Sequence, residues 1–141
     1  MQNILNKKFN KKILILGGSS DISRELVKIF INTNNFLHLH YFKNGNFLKN
    51  IKSKKIKLIR SDFALKNKSS ILKKFDNNYD VIINLVGYID NKSLDNYSYD
   101  NLIKSIGINS IIPMLIIRKS LNNMYKKKYG RIINTSSIGV K

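Results

Sequence analysis

Short β-branched runs alternate with longer amphipathic stretches along this chain. Residues 12–16, Lys-Ile-Leu-Ile-Leu, have the length and composition of a buried strand, and Gly17-Gly18 closes it. Over residues 20–32, Ile22, Leu26, Ile29 and Phe30 recur at helical spacing behind a Ser/Asp start signal, which predicts a helix. Strands are expected at 36–42 and 55–59, a helix at 68–75, and a fourth strand at 80–84 with Gly87 just beyond it. Residues 98–108 and 110–125 read as two helices or one interrupted helix, and 131–135 as a fifth strand. Strands separated by helical stretches make β-α-β units, so the fold class is α/β, a parallel sheet with helices on both faces. No repeat or interdomain linker divides the chain, and residues 1–141 are expected to form one domain.

Composition narrows the function classes. Apolar residues make up 43% of the chain and fall in blocks, which argues against disorder. The chain has no cysteine, which excludes disulfide scaffolds, thiolate metal sites and cysteine nucleophiles. His38 and His40 alternate on the second predicted strand with no third ligand at a suitable spacing, so no metal site is expected. The longest apolar stretches, such as 111–117 around Pro113, are shorter than a membrane span, and no signal-peptide core follows the polar opening. A cytoplasmic chain with no membrane association is expected.

The net charge of +18 raises the question of nucleic-acid binding. Lysine accounts for 22 of the basic residues and arginine for only 4, beside 20 Asn and 23 Ile. Lys, Asn and Ile are the residues of A- and T-rich codons, so a skewed gene composition produces the same charge. The lysines are spread along the chain, and arginine, whose fork reads phosphates and bases, is scarce. Nucleic acid is therefore not the expected partner.

The first strand leads into Leu16-Gly17-Gly18-Ser19-Ser20-Asp21-Ile22-Ser23. A glycine turn feeding a helix N-terminus offers backbone N–H groups and a positive dipole end to a pyrophosphate. No Lys-Ser/Thr closes the turn, so it is not a P-loop, and no nucleophile elbow occurs elsewhere. The turn resembles the TGxxxGxG cofactor turn of the short-chain dehydrogenase/reductase family. Four more resemblances follow in family order. Asp62, with Phe63 beside it, falls where that family holds the adenine ring. Asn84-Leu85-Val86-Gly87 looks like its NNAG element. Asn109 falls on its catalytic helix asparagine, and Gly130-Arg-Ile-Ile-Asn-Thr-Ser-Ser137 is similar to the strand that ends on its catalytic serine. Leu16, Asp21 and Ser23 depart from the family's Thr and its second and third glycines. Asp21 must point away from the phosphates, because a carboxylate close by would repel them.

The resemblance implies a Rossmann-like doubly wound sheet and an NAD(P)-dependent oxidoreductase that interconverts a carbonyl and a secondary alcohol. Gly17, Gly18, Ser19, Ser20, Asp21, Ile22, Asp62, Phe63, Asn84, Val86 and Gly87 are its implied cofactor-binding residues. A 2′-hydroxyl contact needs a carboxylate about 20 residues after the first glycine. No Asp or Glu lies between Glu25 and Asp62, and Lys43 follows the second strand. NADP(H) is thus favoured over NAD(H), with Lys43 as the phosphate contact. Ser137, or else Ser136, would bind the carbonyl oxygen, and Asn109 would hold a relay water. The family's Tyr/Lys pair lies beyond its serine, in a part this sequence does not contain. Tyr88-Ile-Asp-Asn-Lys92 has the YxxxK spacing but follows the wrong strand. The later strands and the substrate loop are likewise expected to be missing, leaving the fifth strand as an exposed edge. Residues 98–125 correspond to the helices through which family members commonly form homo-oligomers. A small carbonyl or alcohol substrate is expected, with a non-catalytic dinucleotide-binding or assembly module as the alternative.

Overall fold

The five predicted strands form one parallel sheet in the computed structural model, which describes residues 10–64 and 66–136. They are β1 (Lys12–Leu16), β2 (Phe36–Tyr41), β3 (Ile56–Arg60), β4 (Val81–Asn84) and β5 (Arg131–Asn134), ordered β3-β2-β1-β4-β5. Leu16 lies opposite both His40 and Asn84, Tyr41 opposite Arg60, and Asn84 opposite Asn134. All five carboxyl ends therefore finish along one edge, and the strand order reverses between β1 and β4. This is a Rossmann-like α/β fold.

The two-residue period of each strand sends alternate side chains to opposite cores. Ile13, Ile15, Leu37, Leu39 and Ile83 pack with Val27 and Leu48, on α1 (Asp21–Phe30) and α2 (Asn46–Lys49). Leu14, Leu16, Ile59 and Ile82 pack on the other side against Ile71 of α3 (Lys68–Lys73). There they also meet Ile112, Ile116 and Met124 of α5 (Ile112–Lys127), with Phe63, Phe75 and Tyr79 between. Each large apolar side chain withdrawn from water contributes roughly 1.5–3 kcal/mol. At the amino ends of the strands, Asp80 accepts from Lys12 N at 2.9 Å and from Lys127 Nζ at 2.8 Å. His38 Nδ1 meets the Tyr79 hydroxyl at 2.9 Å, beside the Lys12–Asp76 ion pair.

Three features differ from the sequence expectation. Helix α1 turns Ser23, Leu26, Val27 and Phe30 inward, whereas Ile22 and Ile29 are 61% and 64% exposed. Close approach of a helix to a sheet favours a small residue at the contact, so Ser23 sets the buried stripe. Of the two forms expected for the 98–125 region, the structure shows one interrupted helix: α4 (Tyr99–Ile106), a π-helical turn over Gly107–Ile111, then α5. Its 29 residues, Tyr99–Lys127, are long and apolar enough to cross a membrane, which the reading of short apolar stretches missed. Ile112, Pro113, Ile116, Ser120 and Met124 of this run are buried in the fold. Helix α2 and a 3-10 turn at Leu94–Asn96 were not expected, being too short to show a period.

Strand β5 pairs with β4 alone among the described residues, and Ile132 and Ile133 are 40% and 50% exposed. Leu102, Ile103, Ile106 and Met114 of the long helical run are also exposed. The exposed edge of β5 is as expected.

Candidate functional site

A cleft of about 640 Å³ opens at the carboxyl edge of the sheet. Its walls are the segments that follow β1, β2, β3 and β4, together with Lys104 of α4 and Ile108 of the π turn. Open parallel sheets bind ligands at this edge, where the strand order reverses.

After β1, Gly17 takes a left-handed backbone (φ +78), and a Cβ there would stand 2.8 Å from the Leu85 carbonyl oxygen. The turn can therefore approach the β4 loop only as glycine. Ser20 caps α1, its Oγ accepting from Ser23 N at 3.2 Å. Beyond β3, Asp62 Oδ1 accepts from Ala64 N at 2.9 Å and shapes the loop that presents Phe63. Beyond β4, Asn84 Oδ1 accepts from Val86 N at 3.2 Å, and its Nδ2 donates to Asn134 Oδ1 at 3.3 Å.

Gly17, Ser19, Ser20, Lys43, Asp62, Phe63, Val86 and Gly87 of the predicted set all line the cleft. Gly18, Asp21, Ile22, Asn84 and Asn109 do not. Gly18 N donates to the His40 carbonyl at 2.6 Å, under the turn. The Asp21 side chain is 97% exposed, 3.8 Å from Arg24, and is not among the residues that line the cleft. Asn109 sits within the π turn and clamps the backbone of Tyr88: Oδ1 accepts from Tyr88 N at 2.7 Å and Nδ2 donates to Tyr88 O at 2.8 Å. Ser137 lies outside the described residues.

Several cleft residues escaped the sequence reading. Ser61 and Tyr88 adjoin predicted motifs, and the Ser61 hydroxyl is buried without a partner. Lys104 Nζ stands 4.6 Å from the centre of the Tyr88 ring. The Tyr88 hydroxyl, with Asp90 and Asp62 further off, raises the Lys104 ammonium above its usual range. Lys92, four residues after Tyr88, instead donates to Asn101 at 3.3 Å. His40 forms part of the cleft wall while only 4% exposed, and burial lowers its pKa to about 4. Lys43 and Lys104 face a single carboxylate, Asp62, so the described lining carries a net positive charge.

A parallel sheet with a glycine turn at its switch point is the architecture of the dinucleotide-binding folds. The sequence model of the short chain dehydrogenase family matches residues 11–141, and the chain belongs to that family. No curated protein matches it. Among solved structures it is similar to a short chain dehydrogenase from Leptospira borgpetersenii with bound NAD+, at TM-score 0.77 and 19% identity over 100% of this chain and 58% of that one. A 3-oxoacyl-[acyl-carrier protein] reductase from Brucella melitensis matches at TM-score 0.70 and 17% identity, over 90% of this chain and 52% of its own. An ElxO variant with NADPH bound matches at TM-score 0.67 and 24% identity, over 92% and 56%. The chain thus spans little more than half the length of the structures it resembles.

Proposed function

We propose that the chain carries the dinucleotide-binding region of an oxidoreductase that interconverts a carbonyl and a secondary alcohol. The observation that carries this reading is the cleft at the β1/β4 switch point, where the Gly17 turn meets the capped N-terminus of α1. The cleft's size and its excess of cations suit a large, anionic ligand. When bound, a nicotinamide dinucleotide supplies or accepts the hydride.

In this reading Gly17, Ser19 and Ser20 hold the pyrophosphate, with Gly18, Asp21 and Ile22 shaping the turn from outside the cleft. Asp62, Phe63, Val86 and Gly87 hold the adenosine end, and Asn84 braces the β4 loop. Asn109 acts by fixing Tyr88, and Ser137 is the hydroxyl that meets the substrate's oxygen. The substrate is a small carbonyl compound or alcohol, with 3-oxoacyl thioesters and sugar derivatives as the first classes to test. Copies of the chain associate through the helical run 98–125, whose exposed Leu102, Ile103 and Ile106 support that role.

The cofactor is NADP(H), because Lys43 borders the cleft after β2 and no carboxylate follows that strand before Asp62. Titration of the protein with NADPH and NADH tests both levels. We expect NADPH to bind at least about tenfold more tightly, a difference of roughly 1.4 kcal/mol, and Lys43→Ala to remove most of it. Equal affinities would overturn the NADP(H) assignment, and binding of neither would overturn the dinucleotide reading.

A further inference from the structure

His40 is the one strongly perturbed titratable group in the described cleft wall that none of these roles uses. Three of its atoms touch both ends of the cleft. Its carbonyl oxygen accepts from Gly18 N at 2.6 Å, and its Nδ1 lies 3.4 Å from Gly17 N. Across the ring, Nε2 lies 3.0 Å from the Ser61 carbonyl oxygen. The ring stacks on Phe63, 4.1 Å between centres and 9° from parallel.

These contacts select one protonation state. The Ser61 carbonyl can only accept, so Nε2 must carry a hydrogen. The Gly17 N–H can only donate, so Nδ1 must be bare. A neutral imidazole protonated at Nε2 satisfies both, whereas the other tautomer satisfies neither. A doubly protonated ring would set a hydrogen on Nδ1 against the Gly17 N–H.

We propose that His40 is a positioning residue, a neutral Nε2–H imidazole that locks the Gly17 turn to the Ser61-Asp62-Phe63 segment. It thereby presets the spacing between the two ends of the cleft. The proposal rests on the reading of this cleft as a dinucleotide site. It also gives the turn a polar contact where Leu16, which has no hydroxyl, stands in the family's Thr position. Preset geometry improves affinity because binding then orders fewer groups.

Two measurements on the unsubstituted protein come first. The imidazole ¹⁵N spectrum should report the Nε2–H tautomer for His40, and the Gly17 amide should be protected from hydrogen exchange. An Nδ1–H tautomer, or an unprotected Gly17 amide, would overturn the proposal without reference to any ligand. NADPH affinity is then compared across variants at concentrations where thermal melting shows each one folded. His40→Phe keeps the stacked ring but loses both side-chain bonds, and binding should weaken by about tenfold or more. His40→Asn, whose Oδ1 stands in for Nδ1, should recover more of the affinity than His40→Gln, which can reach only Ser61. Wild-type affinity in His40→Phe overturns this proposal alone. No NADPH or NADH binding by the unsubstituted protein overturns the reading of the cleft, and this proposal with it.

Discussion

Mild acid should destabilise this protein well before its carboxylates are protonated, because both histidines are buried in the neutral state. His38 and His40 are 7% and 4% exposed, and each pKa falls from 6.5 to about 4. Burial is the main cause for both. For His38, Lys12 and Lys57 add to it and Asp76 opposes it. For His40, Lys74 adds to it and the Ser61 carbonyl opposes it. Between pH 6.5 and about 4, the unfolded chain therefore binds protons that the folded one refuses. Stability is full above pH 6.5, falls as the pH drops towards 4, and loses nothing more to these rings below that. At about 1.4 kcal/mol per pH unit, each ring costs on the order of 3 kcal/mol over the window. Two such losses are comparable with the whole stability of an ordinary domain, about 5–15 kcal/mol.

The carboxylates act in a separate window. Burial alone would raise Asp76 and Asp80, but bonds and charges from Lys12, with Lys57 at Asp76 and Lys127 at Asp80, hold both below their ordinary 3.8. Their contribution is thus present above pH 3.8 and lost only below it. Urea unfolding at a series of pH values separates the two effects, followed by far-UV circular dichroism because the chain has no tryptophan. Near pH 5 the stability should change by roughly 2.7 kcal/mol per pH unit, the slope for two protons. His38→Asn or His40→Asn should each halve that slope. A stability that stays flat from pH 7 to 4.5, or a slope neither substitution alters, would refute the reasoning.

Other substitutions follow from the local geometry. Ser23→Ala removes a fully buried hydroxyl with no partner and improves helix propensity, so urea unfolding should show a gain of about 1 kcal/mol. Gly17→Ala meets both a left-handed φ and the Leu85 carbonyl. A loss of about 1–3 kcal/mol in thermal melting, together with weaker NADPH binding, is expected. Asn109→Leu strands the Tyr88 N–H and carbonyl and should cost about 2 kcal/mol, with faster hydrogen exchange at Tyr88. Unchanged exchange there would show that the clamp does not hold the loop.

The five strands were legible because each is a short apolar run bounded by glycine or polar residues, and the parallel arrangement followed from the helices between them. Part of the cleft was legible for the same reason, since Gly17, Ser19, Asp62 and Gly87 lie just past strand ends in the sequence itself. The inner face of α1 was not. Counting apolar positions selects Ile22 and Ile29, whereas close packing on the sheet selects Ser23 and Val27, and only the three-dimensional contact decides. Lys104 reaches the cleft from a helix whose docking no local pattern announces. His40 was visible only as one of two alternating histidines, which is the signature of a shared strand face. Its partners, Gly17 and Ser61, lie 23 and 21 residues away and become neighbours through the register of β1, β2 and β3.

That register also explains how a glycine turn with three departures keeps its shape. Leu16 replaces a hydroxyl residue, yet it is fully buried in the core shared with α3 and α5, and the polar support passes to the ring of His40 directly opposite it on β2. Asp21 brings a charge into the first turn of α1 but leaves it to solvent and Arg24, outside the cleft lining. Ser23 is larger than glycine and lies against the sheet, where its unpartnered hydroxyl is the cost of that fit. Each departure thus falls on the core or on solvent, outside the cleft lining, to which the turn contributes Gly17, Ser19 and Ser20.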